Sequence, residues 1–342
     1  MTTGRRRILA VRQDNNGDVT LTGPAIRALA PDGAVTLLCA PSGEGAARLL
    51  PGVADVMVAR AEWIDAQPEP VVAERTWAFV QDVARRGFDE AFVFASFHQS
   101  PLPAALLLRL AGVPFVAAVS VDYPGSLLDV RVRVDDDVHE VERNLRLVRA
   151  CGRSLPPGDD GMLRYLTPAA EPGAWSRPYV VVQSGATVAA RTWTAQRWRD
   201  AVAELDAAGY GLVVVGSLGE RELTRAVTAS SRAYDAGGRT TFAQYVAIVA
   251  GARAIVCGNT AGIHVAGAVG TPVVALFPPT IPLARFAPYR VPSVVLGMQD
   301  IPCAGCRARV CPHTRQTCLE TIANADVLAA LEALGVAPDR AA

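Results

Sequence analysis

The feature that most constrains the fold of this chain is an alternation of short apolar runs with longer amphipathic segments. In the first half, runs such as RRILAV, AVTLLCA and PFVAAVS are separated by segments such as VVAERTWAFVQDVARRG, whose apolar residues recur at helical spacing. Near-continuous apolar runs between helices are typical of parallel strands that are covered on both faces. The pattern therefore predicts an α/β fold with a doubly wound sheet.

The alternation starts again after a segment that is typical of a linker. Residues 166–178, LTPAAEPGAWSRP, contain three prolines and one glycine. Beyond this segment, YVVVQSGA, GLVVVGS, RAIVCG and PVVALF alternate with helix-like segments. At 342 residues the chain is also longer than one hydrophobic core usually grows. We predict two Rossmann-like domains, 1–170 and 171–330, and a C-terminal tail, 331–342.

Composition and charge exclude several classes of protein. The 33 Lys and Arg residues balance the 33 Asp and Glu residues, so the chain has no overall positive field that would attract nucleic acid. No apolar stretch has the roughly 18 residues of a transmembrane helix. The apolar run that follows the arginines at 5–7 is too short for a signal peptide. We therefore expect a cytoplasmic protein that binds no nucleic acid and has no transmembrane segment.

Three predicted strand-to-helix loops carry polar and small residues. Ligands of open α/β sheets bind at the carboxyl ends of the strands, where such loops begin. In a chain with two such domains, we expect these ends to face a central cleft, with one site assembled from loops of both domains. The loops are RQDNNGDVTLTGPAIRAL from residue 12, SGATVAARTWTAQRW from residue 184 and CGNTAGIHVAGAVGTPVVALFPPT from residue 257.

Taken together, the three loops resemble the signature motifs of glycosyltransferase family nine, the heptosyltransferase-like bacterial enzymes. HEVERNLRLV from His139 and GGRTTFAQYVAIVAGARAIV from Gly237 also resemble segments of that family. The resemblance implies a GT-B fold, with an acceptor-binding first domain and a second domain that binds a nucleotide-diphosphate sugar similar to ADP-heptose. It implies transfer of a heptose-like sugar to a hydroxyl of a glycan, a lipid-linked glycan or a small natural product. A direct displacement would invert the anomeric centre.

The first loop supplies candidates for the acceptor side. Sugar transfer needs a base that takes the proton of the acceptor hydroxyl. By the resemblance, Asp18 of the family's Gly-Asp pair is that base, and a helix N-cap is its alternative role. Asp14 is the rival carboxylate, and Gly17 allows a tight turn beside the sugar. Asn15 and Asn16 offer hydrogen bonds to sugar hydroxyls, although Asn also favours turns for purely local reasons.

The turn from Gly258 to Ala261 supplies a candidate site for the diphosphate of the donor. A buried strand is predicted to end and a helix to begin there, so free backbone N–H groups and the helix dipole would favour a phosphate. Thr260 adds a hydroxyl, and ordinary N-capping by Asn259 or Thr260 is the alternative. The family has Asp-Thr-Gly where this chain has Asn259, Thr260 and Ala261, a departure that indicates a different donor sugar.

The loop from residue 184 supplies the other donor contacts. Ser184 and Thr187 offer hydroxyls, and Gly185 lets the backbone approach a ligand closely. Arg191 offers the cation that a leaving diphosphate needs, at a position where the family has Lys, and a planar guanidinium is not equivalent to an ammonium group. The alternative role of Arg191 is that of a surface residue before a helix.

Three histidines have two interpretations each. By the resemblance His264, on the helix after the turn, contacts the donor, and a core histidine with local hydrogen bonds is the alternative. His98 follows a predicted strand. In one interpretation it faces the acceptor, and in the other it has no role in acceptor binding. His139 either lies near the cleft or caps its helix.

Four of the seven cysteines form a cluster towards the C-terminus. Cys303, Cys306, Cys311 and Cys318 follow the pattern C-x2-C-x4-C-x6-C, which suits a structural Zn or Fe ion, with His313 as a substitute ligand. Some relatives in this superfamily of sugar transferases are similar in carrying a cysteine-bound iron. Reduced thiols or a disulfide pair are the alternatives. We expect no catalytic metal, because a helix terminus and a cation already serve phosphate departure.

Three other functions fit parts of the pattern. A nucleotide-sugar epimerase has the same architecture but needs carboxylates on both sides of the sugar, and the donor loops offer no clear second one. A non-catalytic nucleotide-sugar-binding protein would tolerate the departures at Asn259 and Ala261. A dehydrogenase is disfavoured, because no G-x-G-x-x-G follows the first predicted strand.

Overall fold

The computed structural model describes residues 5–65, 68–134, 137–166 and 177–338 of the chain. The chain divides into two compact units, 1–166 and 167–342. The predicted domain boundary at 170 lies outside the described residues. The predicted linker at 166–178 also lies outside them, except for its first residue and its last two.

Each unit is built on one sheet of six parallel strands, which confirms the predicted α/β class with doubly wound sheets. The order is β3-β2-β1-β4-β5-β6 in the first unit and β12-β11-β10-β7-β8-β9 in the second. Counted from its own first strand, each sheet has the order 3-2-1-4-5-6 of a dinucleotide-binding fold. The strands are β1 Arg6–Arg12, β2 Gly33–Cys39, β3 Val53–Val58, β4 Glu90–Val93, β5 Phe115–Val119, β6 Val130–Val132, β7 Val180–Gln183, β8 Leu212–Val215, β9 Tyr234–Asp235, β10 Ala254–Gly258, β11 Val273–Leu276 and β12 Ser293–Leu296.

The sequence pattern does not predict the edge strands β6, β9 and β12. They are two to four residues long, and none of their residues is fully buried. Edge strands are commonly short and partly polar. They therefore lack the continuous apolar run by which the central strands are recognised.

The helix-like segment with Pro24 near its start is α2, and a second short helix, α1, precedes it. Asn15 caps α1, and α2 then begins with Pro24 in its first turn. Proline has no N–H to donate and is tolerated only at a helix start, so the helix breaks before it. The helices are α1 Asn16–Thr20, α2 Gly23–Leu29, α3 Glu44–Ala47, α4 Ala73–Arg86, α5 Leu102–Leu110, α6 Glu140–Ala150, α7 Ala195–Ala207, α8 Arg221–Thr228, α9 Phe242–Ala250, α10 Ala261–Val269, α11 Leu283–Phe286, α12 Thr317–Glu320 and α13 Asn324–Ala333. Among these helices, all within the described ranges, none has the length and apolar character needed to cross a bilayer.

A buried apolar core holds each sheet against its helices. In the first unit, Leu9 of β1 belongs to one cluster with Leu108 of α5. In the second unit, Trp198 of α7 belongs to a cluster with the central strands. Burial of one such side chain contributes about 1.5–3 kcal/mol. Leu331 of α13 and Val336, both in the predicted C-terminal tail, belong to this second core.

The strand order positions the polar loops. In each sheet the connections diverge between two neighbouring strands, β1 and β4 in the first unit and β7 and β10 in the second. Ligands of such sheets bind outside the carboxyl ends of these strands. In the first unit residues 14–18 and His98 follow β1 and β4, and in the second unit residues 184–191 and 258–261 lie after β7 and at the end of β10. Each unit therefore has one candidate binding edge.

Candidate active site

The binding edge of the first unit is organised around a buried guanidinium. Arg12 is the last residue of β1, and its side chain is fully buried. Its Nη2 donates to Asp18 Oδ1 at 2.9 Å and to Ser96 Oγ at 2.7 Å. Its Nη1 donates to the carbonyl of Phe94 at 3.2 Å. Because Phe94 and Ser96 follow β4, Arg12 ties the loop after β1 to the loop after the neighbouring strand.

Three carboxylates surround the Arg12 guanidinium. Asp14 Oδ2 lies 2.9 Å from Nε, Asp18 Oδ1 lies 2.9 Å from Nη2, and Glu140 Oε2 lies 3.7 Å from Nη1. Burial acts to lower the pKa of Arg12, but the three carboxylates outweigh it and raise that pKa above its ordinary value. Neither Arg12 nor Glu140 is among the site residues predicted from the sequence. The available signal was a charged residue at the end of an apolar strand, since a buried charge needs partners.

The two candidate carboxylates of the first loop have different surroundings. Asp14 Oδ1 accepts a hydrogen bond from Gln99 Nε2 at 2.8 Å, and Asp14 Oδ2 is buried beside Arg12. Burial raises the pKa of Asp14 to about 6, although Arg12 acts in the opposite direction. The Asp18 side chain is 18% exposed, compared with 11% for Asp14, and Oδ1 is the oxygen that Arg12 holds. Asp18 is therefore the more accessible of the two.

The other residues of the first loop have local partners. Asn15 caps α1, because its Oδ1 accepts from the N–H of Gly17 at 2.9 Å and from the N–H of Asp18 at 3.4 Å. The N-cap role considered for Asp18 is therefore wrong. Asn16 Oδ1 accepts from the N–H of Ala46 at 2.8 Å. Acceptor contacts by Asn15, Asn16 and Gly17 stay predictions.

The three histidines lie in different environments. His98 is exposed in the turn after β4, with its ring centroid 5.1 Å from that of Phe97. His139 caps α6, because its Nδ1 accepts from the backbone N–H two residues further on at 3.2 Å, which confirms the capping interpretation. His264 is buried in α10, with its ring centroid 6.3 Å from that of Phe286. Contacts of His98 with the acceptor and of His264 with the donor stay predictions.

In the second unit, the two predicted donor loops contact one another. The N–H of Asn259 donates to the carbonyl of Arg191 at 3.3 Å. A Cβ at Gly258 would lie 2.5 Å from the same carbonyl oxygen. The Thr192 hydroxyl donates to the carbonyl of Ser184 at 2.9 Å, which folds the first of these loops back on itself. Glycine is therefore required at position 258 for the two loops to meet.

Three buried polar groups at this edge have no hydrogen-bond partner within the described part of the chain. They are Ser184 Oγ, Asn259 Nδ2 and Thr280 Oγ1. They follow β7, β10 and β11, which are neighbours in the sheet. All three groups are donors, and a buried donor left without an acceptor costs about 1–3 kcal/mol. A ligand rich in acceptor oxygens, such as a diphosphate, would satisfy them. Sequence analysis did not identify Thr280, whose one signal was its position shortly after a buried strand.

The predicted helix terminus is also present at this edge. α10 begins at Ala261, directly after the turn that follows β10. Thr260 is its N-cap, with Oγ1 accepting from the N–H of Gly262 at 3.3 Å, which confirms the capping alternative for that residue. Asn259, whose side-chain Nδ2 has no hydrogen-bond partner among the described residues, comes immediately before this cap.

The remaining predicted donor residues differ in exposure. Thr187 is exposed, and Arg191 is half-buried at the end of the short 3-10 turn Ala189–Arg191. Gly185 is buried against the Glu220 carboxylate, which occupies the space that a side chain would need. The backbone at Gly185 is therefore packed by the protein itself on that side.

The cysteine cluster does not form the metal centre predicted for it. Within the described ranges, no group of three or more His, Cys, Asp or Glu side chains could hold a metal ion, and all seven cysteines are free. Cys318 lies in the hydrophobic core of the second unit, Cys306 is exposed, and Cys303 and Cys311 are half-buried. Burial, followed by the neighbouring thiols of Cys311, Cys303 and Cys306, raises the pKa of Cys318. The prediction of structural Zn or Fe is therefore not supported, and reduced thiols fit.

The fold and the two candidate binding edges define a two-unit α/β protein of the GT-B class. One edge carries carboxylates, and the other carries buried donors without a hydrogen-bond partner in the described ranges. The family model for glycosyltransferase family 9 (heptosyltransferase) matches residues 76–316. The chain belongs to this family, in agreement with the resemblance of its loops.

Three known proteins are similar to this chain. Lipopolysaccharide heptosyltransferase 1 of Pseudomonas aeruginosa is 34% identical over 179 residues, which are 51% of this chain and 49% of that protein. The chain thus matches about half the length of this relative. A glycosyl transferase family 9 structure from Veillonella parvula has a TM-score of 0.77 at 17% identity and covers 98% of both chains. The structure of E. coli ADP-heptose lps heptosyltransferase II has a TM-score of 0.73 at 19% identity and covers 96% of this chain and 98% of its own.

Proposed function

We propose that this chain is a glycosyltransferase that moves a heptose-like sugar from a donor similar to ADP-heptose to an acceptor hydroxyl. The observation that carries the proposal is a set of buried donors at neighbouring strand ends that have no hydrogen-bond partner among the described residues, namely Ser184 Oγ, Asn259 Nδ2 and Thr280 Oγ1. Asn259 lies just before α10, and a helix N-terminus also favours an anion. The P. aeruginosa relative is a lipopolysaccharide heptosyltransferase, and the E. coli relative is an ADP-heptose enzyme.

The second unit binds the donor in this proposal. Charge builds up on the diphosphate as the sugar leaves, and preorganised dipoles and cations stabilise it. Arg191 supplies the cation, while the N-terminus of α10 at Ala261 and the hydroxyls of Ser184 and Thr187 supply dipoles. These groups provide the stabilisation that a divalent ion supplies in other transferases, and we propose that no catalytic metal takes part.

The first unit supplies the base, and we assign this role to Asp18. Arg12 holds Oδ1 of Asp18, whereas Asp14 has one oxygen bonded to Gln99 and the other buried. Asp18 takes the proton as the acceptor oxygen bonds to the anomeric carbon and the bond from that carbon to the diphosphate breaks. A single displacement of this kind inverts the anomeric centre.

The acceptor binds near Asp18 in this proposal. His98 is exposed after β4, and Asn15, Asn16 and Gly17 precede Asp18 on the loop and first turn after β1. The acceptor is a glycan of the kind that the P. aeruginosa relative modifies, a lipopolysaccharide, or a lipid-linked glycan or small natural product. We place the acceptor domain at 1–170 and the donor domain at 171–330.

We also propose that the protein works in the cytoplasm. All seven of its cysteines are free, and free thiols persist in a reducing compartment. The balanced formal charge gives no basis for a nucleic-acid partner.

The experiment that tests the proposal has two stages. Thermal unfolding is first measured with ADP, ADP-heptose and a panel of other nucleotide sugars, and a donor at 100 times its Kd should add about 2.7 kcal/mol to the free energy of unfolding. The best donor is then incubated with a lipopolysaccharide core acceptor, and the product is analysed by mass spectrometry and NMR. A glycosylated acceptor of inverted configuration is expected. Absence of any nucleotide-sugar binding, binding without turnover, or an epimerised donor would each overturn the proposal.

A further inference from the structure

We propose that Arg12 is a positioning residue for Asp18, and that Glu140 sets how strongly Arg12 acts on it. The inference rests on the proposed function, because the orientation of Asp18 matters only if the chain transfers sugar. The side chains of Arg12 and Glu140 are fully buried, so neither is expected to touch a substrate. Their role is to act through the Asp18 carboxylate.

The guanidinium of Arg12 is anchored at the end of β4 rather than on α1. One N–H of Nη2 is directed to Ser96 Oγ, and Nη1 donates to the carbonyl of Phe94. The other N–H of Nη2 meets Asp18 Oδ1 at 2.9 Å. A planar guanidinium held at these two points fixes the direction in which the remaining N–H of Nη2 meets a carboxylate. Because α1 has only five residues, the orientation of Asp18 depends on this external anchor.

Arg12 engages one oxygen of Asp18 and leaves the other open. No hydrogen bond joins Asp18 Oδ2 to a residue in the described ranges, and the side chain is 18% exposed. A general base needs a lone pair directed at the proton that it removes. The geometry therefore assigns Oδ1 to Arg12 and Oδ2 to the acceptor proton.

The positive charge of Arg12 is shared among three carboxylates. Asp14, Asp18 and Glu140 lie 2.9, 2.9 and 3.7 Å from its nitrogens. A cation favours the ionised form of a nearby carboxylate, whereas another carboxylate disfavours it. Removal of the Glu140 charge would strengthen the stabilisation of ionised Asp18 by Arg12. Loss of the hydrogen bond from Arg12 to Asp18 would weaken that stabilisation.

Two further ionisable side chains lie near Glu140, at the start of α6. Arg143 donates from Nη1 to the carbonyl of Ala95, and His139 accepts at Nδ1 as the N-cap of the helix. Both side chains are retained in every variant below. A difference between the variants therefore comes from the charge or hydrogen bond that was changed.

The test is the pH dependence of kcat for sugar transfer in the wild type and in two variants. Arg12→Lys keeps a charge but loses the fork, so kcat should fall by about 100-fold with the acceptor KM little changed. The acid limb of its profile should move up by about one pH unit, because Asp18 loses a hydrogen bond to its ionised form. Glu140→Gln keeps the shape and removes a negative charge, so its acid limb should move to lower pH. A general loss of stability would not move the two limbs in opposite directions.

Matched controls come from an exposed ion pair on α8. Arg225 Nη1 lies 3.0 Å from Glu222 Oε1, and both side chains are exposed. Arg225→Lys and Glu222→Gln make the same chemical changes there, and their pH profiles should match that of the wild type. Circular dichroism and ADP-induced stabilisation show whether each variant is folded. If Arg12→Lys does not fold, Ser96→Ala takes its place, because it removes one hydrogen-bond partner of Arg12 Nη2. It should lower kcat and move the acid limb of the pH profile upward by less than Arg12→Lys would.

The outcomes separate this inference from the proposed function. A wild-type protein that moves no sugar, or an Asp18→Asn variant with full activity, would contradict the proposed function itself. An active wild type and an inactive Asp18→Asn variant would leave that function intact. In that case, acid limbs that stay in place, or that move in the same direction in both variants, would overturn the role assigned to Arg12 and Glu140.

Discussion

The backbone N–H of Asn259 lies 3.3 Å from the carbonyl oxygen of Arg191, and this hydrogen bond joins two loops that are distant in the sequence. It makes the loop after β7 and the turn before α10 one continuous surface. The buried groups Ser184 Oγ and Asn259 Nδ2, which have no hydrogen-bond partner in the described part of the chain, lie on these two joined segments. Donor binding should therefore depend on how closely the two loops fit.

The closest point of that fit is Gly258. A Cβ there would lie 2.5 Å from the Arg191 carbonyl oxygen, so Gly258→Ala must push the loops apart. We expect at least about tenfold weaker ADP binding by calorimetry, which corresponds to about 1.4 kcal/mol. Gly219→Ala is the matched control, because nothing lies within 4 Å of its added Cβ. Equal ADP affinities in the two variants would contradict the prediction.

Ser184→Ala should have opposite effects on the free and the bound protein. The Ser184 hydroxyl is buried without a partner in the described residues, and its removal should raise the free energy of unfolding of the ligand-free protein by about 1 kcal/mol. In the proposed donor site the same change removes a hydrogen-bond donor to the diphosphate, so the stabilisation by ADP should shrink. Thermal unfolding with and without ADP measures both effects. A destabilised free protein with unchanged ADP stabilisation would argue that the hydroxyl has a structural partner.

Asp18→Asn should abolish turnover and spare donor binding. Loss of a general base lowers kcat by about 100- to 10,000-fold, whereas the proposed ADP site lies in the second unit, so the Kd for ADP should not change. Asp14→Asn keeps an acceptor for Gln99 Nε2 and should lower kcat less than about tenfold. Steady-state kinetics and calorimetry on both variants provide the measurement. A greater loss in the Asp14 variant would reverse the assignment of the base.

Asp14 should also make the stability depend on pH. Burial raises its pKa in the folded protein from 3.8 to about 6, so between these values the folded state keeps a proton that the unfolded state has lost. Unfolding then releases a proton, and the free energy of unfolding falls as the pH rises through this range, by up to about 3 kcal/mol. Asp14→Asn should lack this decline in urea denaturation from pH 4 to 7. Parallel curves for the variant and the wild type would refute the prediction.

Removal of metal should have no effect on activity. In the proposed mechanism, Arg191 and the N-terminus of α10 supply the positive charge that stabilises the diphosphate. The cysteine cluster lies wholly in described residues and does not form a metal-binding group. EDTA should therefore leave both the transfer rate and the Tm unchanged. A loss of transfer that one added divalent ion restores would show that the proposal omits a metal.

Much of the fold is predictable because the central strands are buried on both faces. Residues 8–11 of β1 and all of β10 are buried, so each position demands an apolar residue and the run is visible in the sequence. Of the four edge strands, β6, β9 and β12 are not predicted, because burial does not restrict their residues in the same way. The strand-end motifs around Asp18 and Gly258 are predictable for a similar reason, since a glycine, a cap and a helix start lie within a few residues of one another.

The sequence by itself determined the class of fold, the family and the loops that carry the candidate residues, because apolar periodicity and short motifs are local properties of the chain. Only the tertiary structure decided how the buried polar groups are satisfied. Arg12 contacts Ser96 and Glu140, which come from distant segments of the chain. Thr280 Oγ1 has no hydrogen-bond partner among the described residues because of the groups that fold around it. The cysteine spacing likewise suited a metal, but the fold buried Cys318 in the core and left Cys306 in solvent. Hydrogen bonding and charge neutralisation in the interior are set by contacts between remote residues, and no local pattern records them.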